Sequence, residues 1–299
     1  TRAECGLVMV TCLRIFGSRT CRFPHDVFLQ LSNCLFSRLT YYNSHIAFLN
    51  TRSFEEELYN NVVNGNYDAA VNMAQSFEVA SDSEFINNIV MRLIAAAPRK
   101  VMSFAYKLWH GDGENIVRNN FPKSFQHIFN EDAVTIVNKQ YVQPLKLDVN
   151  TDSYNDRLAW GDNNQCGLTS ARVCWKFVPL WSSGGVTFKL YNFDRDMYLK
   201  LDVNVDSIGD RQAWGSSNSD EDRHRYYLEP LVKDGTLVFF IINYKYGQGL
   251  KLAVDTDDIG DRLLFGHNGD VHNEGDRLVF VIIYFIFSST IFKVYILNH

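Results

Sequence analysis

The segments Leu145–Gly161, Leu199–Gly215 and Leu250–Gly266 are three copies of one pattern, and this repeat constrains the fold more than any single motif. Each copy reads Leu-Lys-Leu, then a turn-rich acidic stretch ending in Asp-Arg, then an aromatic residue followed by glycine. The second copy starts 54 residues after the first, and the third 51 after the second. A unit of that size cannot bury a core alone, so the three must share one. The register extends upstream to Val134–Asn138, Phe188–Asn192 and Phe239–Asn243, and downstream to runs beginning at Arg172, Arg223 and Arg277. Each unit therefore holds about four strand-length segments of the usual 3–10 residues. Turn signals at Tyr154-Asn155-Asp156, Ile208-Gly209-Asp210 and Ile259-Gly260-Asp261 separate them. Four strands taken three times predict a β-trefoil over residues 130–284, a six-stranded barrel capped by three hairpins. Closure of such a barrel removes exposed sheet edges.

Ahead of the repeats, residues 54–129 change to a helical period. Phe54, Leu58, Val62 and Val63 mark one apolar stripe, and Tyr67, Ala70, Val71, Ala74 and Phe77 a second. A third runs through Phe85, Ile86, Ile89, Val90 and Leu93, with Asp82 or Ser83 placed to cap it. Pro98 suits the first position of a fourth helix, carrying Val101, Met102, Ala105, Tyr106 and Trp109 and stopped by Gly111 and Gly113. A short piece around Ile116 and Phe121 completes the run. The fold class expected is α+β and multidomain: an N-terminal α-helical bundle followed by a C-terminal β-trefoil. The apolar stripes are read as the core of that bundle, with a lipid groove as the alternative.

The ends read differently. Residues 1–50 have no periodicity and read as an irregular or misassigned leader; Gly6–Phe16 resembles a signal-peptide core but is interrupted by Arg14. Leu278–Leu297 reaches the ~20 residues that span a bilayer. Repeat register claims its first part as a strand, so residues 285–299 are expected to be an aberrant apolar tail and not a membrane anchor. Cys166 and Cys174 flank a turn in the first repeat, and two readings stand: two thiols, or a local hairpin disulfide.

The net charge of −5 comes without basic blocks, so no electrostatic source of nucleic-acid affinity is present. No paired His spacing, nucleophile elbow or P-loop occurs, and neither catalytic residues nor a cofactor or metal are assigned. Asp148-x-Asn150-x-Asp152 imitates the start of a calcium loop, but serine stands where the sharp turn needs glycine and Ala159 where a bidentate glutamate belongs. The Asp-Arg pairs are read as turn-builders, since all three copies keep them. Trp160, Trp214 and Phe265 repeat an aromatic beside glycine. An exposed ring next to a carboxylate can stack on a sugar, so Asp152, Trp160, Asp206, Trp214 and Asp257 are the candidate carbohydrate-binding residues. Packing within the hairpins is the competing fate of the rings.

With both halves read, Glu57–Val71, Ala105–Arg118 and Asn120-Phe-Pro122 resemble the 30-kilodalton lipoproteins of moth haemolymph. Leu145-Lys-Leu147, Trp175-Lys-Phe177 and Gly260-Asp-Arg262 fit the same family, over roughly residues 54–280. The resemblance implies a secreted, non-enzymatic storage and carrier protein of insect plasma, with lipid and glycan ligands as partners. The family's ordinary signal peptide is missing from this N-terminus, and its usual third-repeat ending is replaced after about Ile283. The rival expectation is a lectin-like module of innate defence that uses Trp160 and Trp214 as platforms. A protease inhibitor with Asp162–Ser170 as reactive loop ranks below both.

Overall fold

The structure is a computed structural model that describes residues 53–78, 83–163, 170–218, 220–273, 275–288 and 291–295. The leader at residues 1–50, the Ser81-Asp82 cap, Cys166 and most of the 162–170 loop lie outside the described residues. The chain divides into two compact units, Thr1–Glu57 and Leu58–His299. Apart from residues 53–57, the described elements belong to the second.

Among the described residues six helices come first: α1 (53–63), α2 (Tyr67–Glu78), α3 (Ser83–Ala96), α4 (Pro98–Trp109), α5 (Glu114–Asn120) and α6 (Lys123–Phe129). Pro98 opens α4, where its missing N–H costs nothing. Leu58, Ala70, Ile89, Leu93, Val101 and Ala105 are fully buried, so these members of the predicted stripes face inward, while Tyr106 and Trp109 are half-buried.

Thirteen strands follow: β1 (Val134–Asn138), β2 (Leu145–Leu147), β3 (Arg157–Gly161), β4 (Cys174–Ser182), β5 (Gly185–Asn192), β6 (Met197–Leu201), β7 (Arg211–Ser216), β8 (Tyr226–Lys233), β9 (Thr236–Asn243), β10 (Gly249–Leu252), β11 (Arg262–His267), β12 (Val279–Ser288) and β13 (Ile291–Tyr295). All pair antiparallel within one sheet. Extra pairings of β12 with β9, β5 with β8 and β7 with β11 close it on itself.

This architecture corrects the expected N-terminal helical bundle followed by a C-terminal β-trefoil. The second unit is a closed antiparallel β-barrel, mostly β, with its helices laid against it. The hairpins are not separate caps on a six-stranded barrel. Arg157 pairs with Gly215, Arg211 with Gly266 and Arg262 with Gly161, so β3, β7 and β11 hydrogen-bond to one another and fuse the hairpins into the sheet. The helices, for their part, do not form a self-contained bundle. Segments of 7–14 residues have too little apolar face to satisfy one another. Instead α4 lies on β5 and β8, α3 on β8, and α6 on β4 and β12.

Ring contacts show how deep that junction goes. Phe125 of α6 meets Phe239 of β9 at 6.4 Å between centroids, Phe129 meets Phe188 of β5 at 6.1 Å, and His127 stacks on Tyr284 at 3.6 Å. Phe125, Phe188 and Phe239 are fully buried. At about 1.5–3 kcal/mol for each such side chain, exposing these rings would cost a large share of the roughly 5–15 kcal/mol that stabilises a domain. A polar clip adds direction: the backbone N–H of Val186 donates to Ser103 Oγ at 3.1 Å, and Ser103 Oγ donates to the Arg99 carbonyl.

At the C-terminal end β12 pairs residue by residue with β13, from Tyr284 with Tyr295 to Ser288 with Ile291. No helix among the described residues is long and apolar enough to cross a membrane.

Candidate carbohydrate and lipid sites

The repeated residues build the barrel's internal joints first. Lys146, Lys200 and Lys251 stand between two leucines on β2, β6 and β10, where alternation would send every second side chain to one face. All three lysines are buried. Lys146 Nζ reaches Asp162 at 2.6 Å and Asp261 at 2.5 Å, Lys200 pairs with Asp156, and Lys251 reaches Asp210 at 2.5 Å. Each aspartate of an Asp-Arg turn therefore neutralises the lysine of another repeat: first to second, second to third, third to first. Burial alone would lower the Lys146 pKa, but hydrogen bonds to its two carboxylates outweigh it and raise the value.

The arginine of each pair works within its own hairpin. Arg157, Arg211 and Arg262 donate through Nη1 to the Asp148, Asp202 and Ala253 carbonyls at 3.1, 3.2 and 3.3 Å. Glycine completes the joint. A Cβ on Gly215 would sit 2.3 Å from Leu147 Cδ1, and one on Gly266 2.3 Å from Leu201 Cδ1, so the leucine of a neighbouring repeat rests on bare backbone. The turn-building role read for the Asp-Arg pairs thus gains a second half, closure between repeats.

The candidate sugar residues fall on this framework unevenly. Asp152 Oδ1 accepts from the Tyr154 and Asp156 N–H groups at 2.8 and 2.9 Å. Asp206 and Asp257 bind the equivalent turns at 3.0 and 2.9 Å and at 3.1 and 2.8 Å. One oxygen of each carboxylate is spent on its own loop. Asp148 and Asp202, the supposed first ligands of a calcium loop, likewise accept from Asn150 and Asn204 N–H.

The fold joins neighbouring copies at the candidate residues. Asp152, Tyr154 and Asp156 of the first repeat share a 520 Å³ cleft with Lys200, Trp214 and Asn218 of the second. Asp206 of the second repeat shares a 350 Å³ cleft with Phe265 of the third. Asp257 and Trp160 line neither of these clefts. Both tryptophans are half-buried and their unpartnered Nε1–H groups face inward, so what each offers a ligand is the exposed part of its ring.

A third cleft, of 330 Å³, lies where the helices meet the barrel. Met91, Ile94 and Pro98 from the α3–α4 corner face Leu231 and Val232 of β8 and Phe240 of β9. Glu229 and His272 are its ionisable groups. Sequence reasoning missed this site because its walls come from distant segments, with Met91 at one extreme and His272 at the other; the signal that was there is a glutamate at 229 where the other repeats carry Val178 and Ile283.

Two further groups stand out. His224 is fully buried, with Nδ1 3.3 Å from the Glu221 carbonyl and Nε2 unpartnered. Burial, reinforced by Lys200 and Arg223 against the opposing Glu221 contact, lowers its pKa to about 4. Cys174 carries a free thiol whose pKa burial pushes up, which makes it a poor nucleophile.

Comparison with known proteins covers most of the described residues. The profile described as Lepidopteran low molecular weight (30 kD) lipoprotein matches residues 52–284. Microvitellogenin of Manduca sexta is 40% identical over 216 residues, covering 72% of this chain and 86% of that relative. Low molecular mass lipoprotein 3 of Bombyx mori is 36% identical over 217 residues, covering 73% and 84%. Helices laid on a closed barrel of three repeats, read together with these matches, place the chain in the lepidopteran 30 kD lipoprotein family.

Proposed function

We propose that this lipoprotein is a secreted, non-enzymatic storage and carrier protein of insect haemolymph, holding lipid in the cleft between the α3–α4 corner and the β8–β9 hairpin. The observation that carries the reading is the cleft's lining, where Met91, Ile94, Leu231, Val232 and Phe240 converge on one concavity. Concave, mostly apolar sites with a few polar groups are the usual form of a small-molecule pocket. Its relatives are named as lipoproteins and not as enzymes, which supports a carrier role. Displacement of Nile red by single-chain lipids tests the assignment. Leu231→Ser should weaken displacement several-fold while leaving the thermal melt near that of the wild type. Unchanged affinity in a folded Leu231→Ser protein would place the lipid elsewhere.

A second reading, glycan recognition in defence, is favoured by one observation: Asp152 and Trp214 arrive on the same cleft from different repeats. A ring face beside a carboxylate is the minimum equipment for stacking on a sugar and binding its hydroxyls. A glycan array should then light up for the wild type and fall silent for Trp214→Ala. Silence for the wild type removes this reading and leaves the carrier role intact.

A further inference from the structure

Glu229 is out of place in a simple slot for acyl chains. It is 5% exposed and stands on β8 where the other two repeats have Val178 and Ile283, so barrel packing does not require a carboxylate there. Its Oε1 accepts from Arg99 Nε. That guanidinium lies over the Tyr227 ring, 4.4 Å from the centroid, and is not among the residues lining the cleft. Oε2 has His272 Nε2 at 3.5 Å, longer than an ordinary N–H···O bond of 2.7–3.2 Å. His272 is itself held by its ring, edge-on to Phe240 at 5.0 Å. One carboxylate oxygen thus keeps acceptor capacity inside a wall made of Met91, Ile94, Leu231 and Phe240.

We infer that this cleft selects single-chain amphiphiles whose head group donates a hydrogen bond and carries no negative charge, and that Glu229 is the group that reads the head. The inference rests on the lipid reading of the same cleft and adds the class of lipid. A hydroxyl or ammonium head gives Oε2 a charge-assisted bond, about twice as strong as a neutral one. A fatty-acid anion would put a second carboxylate beside Glu229 in a water-poor site, where like charges repel far more strongly than in solvent. Arg99 does not rescue the anion, because its charge is already committed to Glu229 and the Tyr227 face.

The experiment compares three probes of equal chain length, 1-monolauroylglycerol, dodecylamine and laurate, in displacing Nile red at pH 7.5 below their aggregation thresholds. The wild type should bind the glycerol ester and the amine at least about tenfold more tightly than laurate, a difference of roughly 1.4 kcal/mol. In Glu229→Gln, with folding checked by thermal melt, laurate should tighten and the gap should shrink to about threefold or less. Equal or tighter binding of laurate by the wild type overturns the inference, and that ligand series stands even where Glu229→Gln does not fold. A gap unchanged in folded Glu229→Gln also overturns it. Failure of all three probes to displace Nile red would overturn the lipid reading as well, a distinct outcome from binding without selectivity.

Discussion

Replacing His224 with leucine should make this protein more resistant to acid, and the size of the gain follows from one buried nitrogen. His224 occupies the position that Val173 and Leu278 hold in the other two repeats, and all three side chains are fully buried. The charged groups facing it are Lys200, Arg223 and Glu221, and its pKa falls from 6.5 to about 4. The unfolded chain therefore binds a proton near pH 6.5 that the folded chain refuses until pH 4. Stability is complete above the unfolded value and is lost as pH falls toward the folded one. With 1.36 kcal/mol per pKa unit, wild-type stability at pH 4.5 should be about 2.5 kcal/mol below that at pH 7.5 from this residue alone. Against the 5–15 kcal/mol typical of a domain, that is a large share. The assay is urea unfolding of both proteins at the two pH values. Carboxylate titrations are common to both and cancel in the comparison, so the His224→Leu protein should lose about 2.5 kcal/mol less on acidification. Equal acid losses in the two proteins would show that His224 titrates normally and that its burial does not exclude the proton.

Three shorter predictions concern the joints between repeats and between layers. Lys146→Met leaves Asp162 and Asp261 buried without their cation and should cost about 3–5 kcal/mol in denaturant unfolding; a loss under 1 kcal/mol would mean water reaches the pair. Because the Lys146 pKa is raised, its contribution is whole below the unfolded value of 10.5 and fades as pH climbs through the folded one, so the wild type should weaken at strongly alkaline pH more than the variant does. Gly215→Ala drives a methyl into the Leu147 head and should cost about 1–3 kcal/mol, measured by the thermal midpoint. Ser103→Ala strips the buried Val186 N–H of its acceptor and should cost about 1–3 kcal/mol, with amide exchange accelerated first at the β4–β5 hairpin.

Where the sequence could be read, it was because local rules decided the outcome. The three copies, their strands and the helices at Tyr67, Ser83 and Pro98 follow from periodicity and punctuation alone. The Asp-Arg turns were legible for the same reason, since Asp152, Asp206 and Asp257 bind N–H groups only two and four residues away. What a single pass along the chain cannot supply is which copy faces which. Order in sequence sets Asp152 with Trp160 of its own copy, whereas the sheet sets it beside Trp214, because β3 pairs with β7. The same ignorance hid the partners of Lys146, Lys200 and Lys251, because alternation along a strand gives the face a side chain takes and not what meets it there. The boundary between a helical half and a barrel half was overdrawn because helical stripes declare that a face is apolar, not what covers it. Here the cover for α4 and α6 is β-sheet.

Symmetry and its breaking divide the labour in this barrel. Positions that all three copies keep, the Leu-Lys-Leu lysine, the Asp-Arg pair and the aromatic-Gly step, make the contacts that fuse one repeat to another. Such contacts have to be made three times for the sheet to close, so each copy is under the same physical demand. A ligand makes no such demand. The helical layer lies on β5, β8 and their neighbours, not around the whole barrel, so one sector sees a surface the others do not. It is in this sector that one repeat departs from the others, with Glu229 for Val178 or Ile283. A charged or titratable side chain in a barrel wall is costly, and nothing in threefold closure requires it. On that argument the departures from the repeat locate a binding function better than the repeated motifs do, and exchanging Glu229 for valine should leave the barrel closed, raise or preserve its thermal midpoint, and abolish the discrimination among lipid head groups.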